Sequence, residues 1–329
     1  MKAVVVDEAR NLIEQEVEQP SPQGHDVLVK VQAISINPVD LKRVELIGPT
    51  DPSILGYDAV GTVVEVGLAV TKYQVGDVIF YAGDNTRAGS YAEYQLVDER
   101  ITALAPTTIS ASSAAALPLT WLTAYEILID KLHYLPQSNA NHGTILVING
   151  AGGVGSILTQ LAHWLGLKVL ATSSPQNFSW LRQNQTDLPL DYHQDLVAQV
   201  HDHGIEHVDA VANLFDTAAY LPTAVELLRP FGKIVNIAAV QGELDLNSLR
   251  AKSLSFEWEL MFTKTHYHYQ IETQGQALEL LAQLVDRGII QSTVKKVITA
   301  PLTAATIKKA HEQLRQHQMV GKLVVDFQN

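Results

Sequence analysis

Short runs of β-branched and other apolar residues, separated by turn-forming residues, dominate the first third of the chain. Proline and glycine punctuate this pattern, as in the segment Pro20-Ser21-Pro22-Gln23-Gly24. Short strands at this spacing, with turns between them, are typical of an all-β barrel or sandwich. The predicted strands lie at 3–6, 27–34, 60–66, 75–80 and 94–97.

The pattern changes near residue 110, where helical periodicity appears and strands begin to alternate with helices. This alternation predicts an α/β fold class, with a doubly wound parallel sheet that carries helices on both faces. Helices are predicted at 112–117, 123–132, 155–165, 178–183, 196–203, 220–228, 276–286 and 303–317. Strands are predicted at 144–149, 168–172, 208–213, 233–237, 295–298 and 322–326.

Length, charge and cysteine content narrow the class of protein. The chain has 329 residues, which at roughly 100–200 residues per domain suggests two domains. Its net charge of -12 argues against nucleic acid and anionic membranes as partners, because both repel an acidic surface. The absence of cysteine excludes disulfides, thiolate catalysis and sulfur-ligated zinc. Without a signal peptide or a long apolar run, we expect a soluble, cytoplasmic protein.

A glycine-rich turn is the clearest candidate site. The segment Gly150-Ala151-Gly152-Gly153-Val154-Gly155 directly follows a predicted strand and opens a predicted helix. In this context Gly150 allows the tight turn, Gly152 lets backbone N–H groups approach a pyrophosphate, and Gly155 lets helix and strand pack closely. The helix N-terminus adds a partial positive charge that favours an anion. The turn therefore predicts a dinucleotide site, the alternative being a purely structural turn.

The end of the next strand bears on the choice of dinucleotide. An NAD site usually places an acidic residue there to bind the ribose 2′-hydroxyl, but this chain has Ser173-Ser174. Without a carboxylate to repel a 2′-phosphate, NADP(H) is favoured over NAD(H). Because no basic residue stands beside Ser173, Arg182 and Tyr192 are the candidates for contacting the phosphate.

Several segments together resemble the medium-chain dehydrogenase/reductase superfamily, and most of all its zinc-free quinone oxidoreductase (zeta-crystallin-like) branch. That branch includes proteins labelled "zinc-type alcohol dehydrogenase-like" that lack zinc ligands. The resemblance covers essentially the whole chain. It is carried by the glycine turn, Ile34-Ser35-Ile36-Asn37-Pro38-Val39-Asp40-Leu41-Lys42, Gly56-Tyr57-Asp58-Ala59-Val60-Gly61-Thr62-Val63-Val64-Glu65-Val66-Gly67, Val75-Gly76-Asp77-Val78-Ile79 and the segment 114–123.

The resemblance implies a GroES-like β-barrel domain from residues 1–119 and 264–329, with a Rossmann domain at 120–263 inserted into it. It further implies a cofactor in the cleft between the domains, and a homodimer. Contacts with the cofactor are expected, beyond the glycine turn and Ser173-Ser174, at Thr123, Tyr192, Leu214, Phe215, Ala238, Ala239, Val240 and Lys322.

The zinc positions of the superfamily are occupied here by residues that do not suit zinc. Where zinc-dependent relatives have a Cys, a His and a second Cys, this chain has Asn37, Tyr57 and, approximately, Leu119. Catalytic zinc needs three good protein ligands, and the segment 81–93 has no cysteine for a structural zinc lobe. The histidine clusters at 201–207 and 266–268 are weak alternatives. We therefore expect no zinc.

Without a Lewis acid, a simple ketone or alcohol loses its main source of oxyanion stabilisation. In a quinone or an α,β-unsaturated carbonyl, by contrast, the charge that follows hydride addition to carbon spreads onto oxygen, where hydrogen-bond donors suffice. Asn37 and Tyr57 are the candidate donors. Their alternative roles are a turn residue before Pro38 and a packed aromatic ring.

The leading hypothesis is an NADPH-dependent, metal-independent quinone or enone reductase. The alternatives are an alcohol dehydrogenase or aldehyde reductase of the same superfamily, and a dinucleotide-binding sensor or structural protein with little turnover. A reductase of thioester-linked enoyl groups would favour a basic entrance, which this acidic chain does not suggest.

Overall fold

The computed structural model describes residues 1–48, 51, 53–316 and 319–327. The chain divides into two compact units, each of which is described by itself below. The first comprises Met1–Leu122 and Met261–Asn329, and the second Thr123–Leu260. These bounds differ by a few residues from those that the resemblance implies.

The strands and helices are labelled in chain order. The strands are β1 (Lys2–Val6), β2 (Leu12–Glu16), β3 (Asp26–Ile36), β4 (Asp58–Val66), β5 (Val78–Tyr81), β6 (Tyr94–Asp98), β7 (Thr102–Leu104), β8 (Thr144–Ile148), β9 (Lys168–Ser173), β10 (Leu188–Asp191), β11 (Val208–Asn213), β12 (Leu228–Asn236), β13 (Ser255–Trp258), β14 (Val294–Thr299) and β15 (Lys322–Asp326). The helices are α1 (Pro38–Leu46), α2 (Ala111–Ala115), α3 (Pro118–Tyr125), α4 (Gly153–Leu165), α5 (Phe178–Gln183), α6 (Leu196–Asp202), α7 (Thr217–Leu227), α8 (Thr263–His266), α9 (Glu272–Asp286) and α10 (Ala304–Arg315).

The first unit is built around a mostly antiparallel sheet with the order β14-β15-β3-β4-β5-β7, in which β6 also pairs with β3. Strand β3 is the longest, and its contacts with β4 contain two register shifts. Such bulges bend a strand and let a sheet curl. Strand β3 is buried along most of its length, and Lys30 is its one exposed residue. The C-terminal strand β15 pairs antiparallel with β3.

The second unit contains a parallel sheet with the order β10-β9-β8-β11-β12-β13. The direction in which the chain adds strands reverses between β8 and β11, and this switch point is where open α/β sheets bind their ligands. Its central strand β8 is almost entirely buried, as expected for a strand covered on both faces. The predicted fold class, a Rossmann-type parallel sheet with a GroES-like β domain, is confirmed.

Some elements differ from the prediction for identifiable reasons. Pro118 lies between the helices predicted at 112–117 and 123–132, and in the structure it begins α3. Proline suits the first helical position, where its missing N–H costs nothing. The strand predicted at 75–80 is Val78–Tyr81, since Gly76 adopts a left-handed φ of 101° in the preceding turn. Strands β10 and β13 have only four residues each and were not predicted. The end of the predicted helix 303–317 lies outside the described residues.

Candidate functional site

The glycine turn joins β8 to α4 and is packed too closely for a side chain at Gly150 and at Gly155. A Cβ on Gly155 would lie 2.4 Å from the carbonyl oxygen of Asn149, and one on Gly150 would lie 2.6 Å from the Cβ of Ala171. Gly152 is the N-cap of α4, and no side chain caps this helix end. A Cβ there would crowd only the side-chain amide of Asn149, at 2.9 Å. The turn thus fits a phosphate group, because no side chain caps the amides of the first turn of α4, and Gly152 and Gly153 carry no side chain that would keep an anion from the backbone.

Most of the predicted cofactor residues lie at one edge of the parallel sheet. Because its strands run in the same direction, their carboxyl ends share that edge, and these residues follow the ends of five neighbouring strands. They are Gly150, Gly152, Gly153, Val154, Gly155, Ser173, Ser174, Tyr192, Leu214, Phe215, Ala238, Ala239 and Val240. Thr123 lies elsewhere, as a buried residue of α3.

The two serines after β9 form a small polar group with Asn177. The side-chain amide of Asn177 donates hydrogen bonds to the hydroxyl oxygens of Ser173 and Ser174, at 3.2 and 3.1 Å. Tyr192 is 46% exposed at the end of the neighbouring strand β10, and its ring packs against that of His193 with centroids 4.1 Å apart. Hydroxyl, amide and aromatic groups therefore surround the position where NAD-specific sites carry a carboxylate.

The same edge of the sheet holds buried polar groups that the sequence did not reveal as site residues. Asn236, the last residue of β12, is completely buried, and neither its side-chain oxygen nor its side-chain nitrogen has a partner among the described residues. Its backbone carbonyl accepts a hydrogen bond from the N–H of Glu259 at 2.9 Å. Burial and the neighbouring Glu126 raise the pKa of Glu259 far above its usual range. Unsatisfied buried groups of this kind are costly, and they fit an edge that binds a polar ligand.

In the first unit, Asn37 and Lys322 belong to a buried polar cluster. The ammonium group of Lys322 donates hydrogen bonds to the carbonyl oxygen of Ile36 at 3.2 Å, to Asn37 Oδ1, and to Asp58 Oδ2 at 3.3 Å. An ammonium has three N–H donors, and all of them are used here. With these three partners in place no ammonium hydrogen of Lys322 is left over, and its expected contact with the cofactor stays a prediction.

The side-chain amide of Asn37 is also fully engaged. Its Nδ2 donates to Asp58 Oδ2 at 2.9 Å and to the carbonyl oxygen of Ser35 at 3.3 Å. The other carboxylate oxygen of Asp58 accepts a hydrogen bond of 2.7 Å from the backbone N–H of Leu119, in the first turn of α3. Asn37 was predicted as a donor to the substrate, but both of its amide hydrogens are already donated to the protein.

Asp40 connects this cluster to a second buried group. Its Oδ2 accepts a hydrogen bond of 2.7 Å from the backbone N–H of Asn37, which is the N-cap of α1. Burial raises the pKa of Asp40 to about 7, although the Asn37 N–H and Lys322 oppose the shift. The nearby Tyr91 hydroxyl forms a hydrogen bond of 2.9 Å with Nε2 of His311. Burial lowers the pKa of His311 to about 4, so His311 is uncharged at neutral pH.

Tyr57 has a buried hydroxyl that is not satisfied by the protein. The residue is 2% exposed, and its hydroxyl has no hydrogen-bond partner within the described part of the chain. Its ring contacts Phe262, with centroids 4.8 Å apart. Burial, and next the negative charge of Asp40, raise the pKa of Tyr57 well above its ordinary value, although the nearby Arg43 opposes the shift. A guanidinium can only donate, so Arg43 does not accept the hydrogen of the phenol. The hydroxyl therefore stays protonated at neutral pH and is an available hydrogen-bond donor.

The structure explains how Tyr57 is held. Gly56, just before it, has a left-handed φ of 91°, and a Cβ there would lie 2.3 Å from the ring of Tyr91. Only glycine allows the chain to turn in this position against the ring. The next residue, Asp58, starts β4 and is anchored by Lys322, Asn37 and the Leu119 N–H. Tyr57 therefore sits between two fixed points of the backbone.

The residues at the superfamily's zinc positions do not fit that metal. The side chains of Asn37, Tyr57 and Leu119 supply no thiolate, imidazole or carboxylate, and an ammonium is bonded to Asn37. Over the ranges that the structure describes, no group of three or more His, Cys, Asp or Glu side chains could hold a metal ion.

Asp40 and Asp58 are the residues of the first unit's polar cluster that sequence reasoning missed. A signal for Asp40 was present, because asparagine three residues before an acidic residue, with proline between them, is a pattern of helix N-termini. Asp58 adjoins Tyr57 in the sequence, but only the fold shows that it contacts Lys322, which lies 264 residues later in the chain.

Comparison with known proteins gives the family. The family model described as "Alcohol dehydrogenase GroES-like domain" matches residues 23–107, and the one described as "Zinc-binding dehydrogenase" matches residues 185–325. The chain is 41% identical over 325 residues to the "Zinc-type alcohol dehydrogenase-like protein" of Staphylococcus epidermidis, which covers 98% of this chain and 96% of that relative.

Two further relatives have names that state an activity. The "NADPH-dependent alkenal/one oxidoreductase, chloroplastic" of Arabidopsis thaliana is 32% identical over 326 residues, which covers 95% of this chain and 75% of that protein. The crystal structure of Escherichia coli quinone oxidoreductase complexed with NADPH superimposes with a TM-score of 0.82 at 25% identity, covering 99% of this chain and 98% of that one.

The chain belongs to the medium-chain dehydrogenase/reductase superfamily, as its sequence motifs predicted, and it is an oxidoreductase of that superfamily. No helix in the described ranges combines the length and the apolar character needed to cross a membrane.

Proposed function

We propose that the protein is an NADPH-dependent reductase of quinones or α,β-unsaturated carbonyl compounds that works without a metal ion. The observation that carries the proposal is the buried hydroxyl of Tyr57, which is protonated and has no partner among the described residues. It supplies one oriented donor where zinc-dependent members of the superfamily have a metal ligand. One such donor suits a substrate whose developing charge is delocalised onto oxygen.

The second unit would hold the cofactor, which supplies the hydride when it is bound. The amides of Gly152, Gly153 and Val154 would bind its pyrophosphate, because no side chain caps this end of α4. Ser173 and Ser174 would bind the ribose and its 2′-phosphate, since no carboxylate stands there to repel the phosphate. The names of the Arabidopsis and Escherichia coli relatives, which both include NADPH, support this choice.

Tyr57 would act on the substrate by donating a hydrogen bond to its carbonyl oxygen. The raised pKa of the phenol keeps the proton on the tyrosine, so the bond strengthens as negative charge develops on the acceptor. Asn37, by contrast, serves as a positioning residue in this proposal, because its two amide hydrogens hold Asp58 and the carbonyl of Ser35. The proton that completes the reduction would come from Tyr57 or from water.

The substitution Tyr57→Phe tests the proposal, with Tyr81→Phe as its matched control. Tyr81 is equally buried, and its hydroxyl also lacks a partner among the described residues, but only burial perturbs its pKa. Since a well-placed donor contributes about 3–4 kcal/mol to the transition state, we expect Tyr57→Phe to lower kcat for an enone roughly a hundredfold or more.

The same measurements of NADPH oxidation should show an unchanged KM for NADPH in Tyr57→Phe, because the cofactor would bind to the other unit. Tyr81→Phe should stay within a few-fold of the unsubstituted enzyme. If both variants reduce the enone at the original rate, Tyr57 is not the donor.

A further inference from the structure

Lys322 is a buried cation whose ammonium group has an acceptor in the protein for each of its three hydrogens. It is 3% exposed at the first position of β15, and its three donors reach one backbone carbonyl, one amide oxygen and one carboxylate. Lysine is seldom buried to this extent unless it is paired. Here the paired carboxylate is that of Asp58, which is itself completely buried.

The partners of Lys322 come from the positions that the superfamily uses for zinc. Asn37 stands at the first of these positions, Asp58 directly follows the second, and the backbone N–H of Leu119, approximately the third, holds the other oxygen of Asp58. A bound metal ion gathers ligands from distant parts of a chain, and the ammonium group here gathers the ends of β3, β4 and β15 in the same way.

We propose that the ammonium group of Lys322 takes the place of the metal ion, as a fixed internal cation that holds these strand ends together and excludes zinc. The donor set at this point is oxygen and amide, without the thiolate or imidazole that zinc prefers. Burial raises the pKa of Asp58, and the ammonium of Lys322 opposes this shift by favouring the charged carboxylate. The same ammonium would repel a divalent cation that approached Asp58.

The inference does not depend on the substrate or on turnover, so it can fail while the proposed reductase activity stands, and the reverse also holds. It concerns only what occupies, in this chain, the positions at which zinc-dependent members of the superfamily hold their metal. Its measurable consequences are a strong energetic coupling between Lys322 and Asp58, and an absence of specific zinc binding.

The first experiment is a double-mutant cycle on the full chain, with thermal midpoints measured in the presence of a chelator. Lys322→Met and Asp58→Asn each leave one buried charge unpaired, and we expect each to lower the midpoint by about 10 °C or more. The double variant, which removes both charges, should recover at least half of the larger loss.

A matched control pair is available in the same unit. Arg87 and Asp26 form a two-bonded ion pair, at 2.8 and 3.0 Å, whose side chains are 33% and 20% exposed. Because water and salt screen such a pair, Arg87→Met and Asp26→Asn should show a much smaller coupling.

If Lys322→Met or Asp58→Asn does not fold, a folded double variant supports the proposal, and an unfolded one overturns it. Additive losses in the Lys322–Asp58 cycle also overturn it.

The second experiment measures zinc directly. The unsubstituted protein and Asp58→Asn are dialysed against excess zinc sulfate, desalted, and analysed for metal. We expect both proteins to hold far less than one zinc per chain, and zinc to leave the thermal midpoint unchanged. Zinc bound at one per chain to the unsubstituted protein and lost in Asp58→Asn would overturn the proposal.

Discussion

Tyr57 and Asn37 had the same predicted role, but their contacts in the structure differ. Both were predicted as hydrogen-bond donors, because both replace a metal ligand of the superfamily. The contacts separate them, since the amide of Asn37 is fully used and the hydroxyl of Tyr57 is not. No property of the two residue types foretells this difference, because it depends on Asp58, Ser35 and Lys322 meeting at one point in the fold.

The raised pKa of Asp40 predicts how the stability of the protein depends on pH. The folded pKa of Asp40 is about 7, above the ordinary value of 3.8, so its contribution to stability is present below about pH 4 and is lost as the pH rises through 7. The variant Asp40→Asn lacks this loss. We therefore expect the stability of Asp40→Asn, relative to the unsubstituted protein, to increase by roughly 1.4 kcal/mol per pH unit between these limits.

Thermal or urea unfolding at a series of pH values measures this slope. Asp7→Asn is a control of opposite sign, because the hydrogen bond from the backbone N–H of Asn11 lowers the pKa of Asp7. Its relative stability should fall as the pH rises through the acid range. A stability difference for Asp40→Asn that does not change with pH would show that Asp40 is not buried in the protonated form.

At the scale of elements, the glycine turn could be predicted because its requirements are local. A strand, three spaced glycines and a helix are adjacent in the sequence, and the structure has β8, the turn and α4 in that order. The helix α1 was not predicted, although Asn37, Pro38 and Asp40 form a start signal, because its nine residues carry only a weak apolar stripe. The four-residue strands β10 and β13 are too short to show a period.

Two alanine substitutions in the turn should separate cofactor binding from folding. Gly152→Ala places a Cβ near only the flexible amide of Asn149, so we expect little loss of stability but at least a roughly tenfold weaker binding of NADPH, about 1.4 kcal/mol. Gly155→Ala places its Cβ against backbone atoms, so it should destabilise the second unit by about 1–3 kcal/mol. Fluorescence titration and thermal unfolding measure the two effects. Equal NADPH affinity in Gly152→Ala would contradict the assignment of the turn.

The end of β9 offers a test of cofactor preference. Ser174→Asp places a carboxylate where the proposal puts the 2′-phosphate, and the two like charges should weaken NADPH binding at least tenfold, about 1.4 kcal/mol. NADH lacks this phosphate and serves as the internal control, with an affinity that should hold or increase. If Ser174→Asp weakens the binding of NADPH and of NADH equally, the substitution disturbs the site as a whole. That result would contradict the proposed preference for NADP(H).

At the scale of the whole molecule, the fold class followed from patterns that repeat over many residues. The change from short alternating strands to strands and helices in alternation near residue 110 predicted both a β unit and a parallel sheet, and both are present. The return of the chain to the first unit was implied by the resemblance, since β15 pairs with β3 through contacts that no local pattern encodes. The homodimer stays a prediction.

The polar cluster around Lys322 could not have been predicted for the same reason. It combines residues from 36 to 322 in one buried network, and in the sequence Lys322 has the appearance of an ordinary lysine after a glycine. Once the fold is known, its three hydrogen-bond partners distinguish it from a surface lysine, while its contact with the cofactor stays a prediction.

The most direct test of the central claim compares an α,β-unsaturated ketone with the corresponding saturated ketone, using chelator-treated protein and NADPH. A metal-independent enone reductase should reduce the carbon–carbon double bond of the first compound, leave the second untouched, and show the same rates before and after chelation. Turnover of the saturated ketone that chelation abolishes and zinc restores would contradict the account.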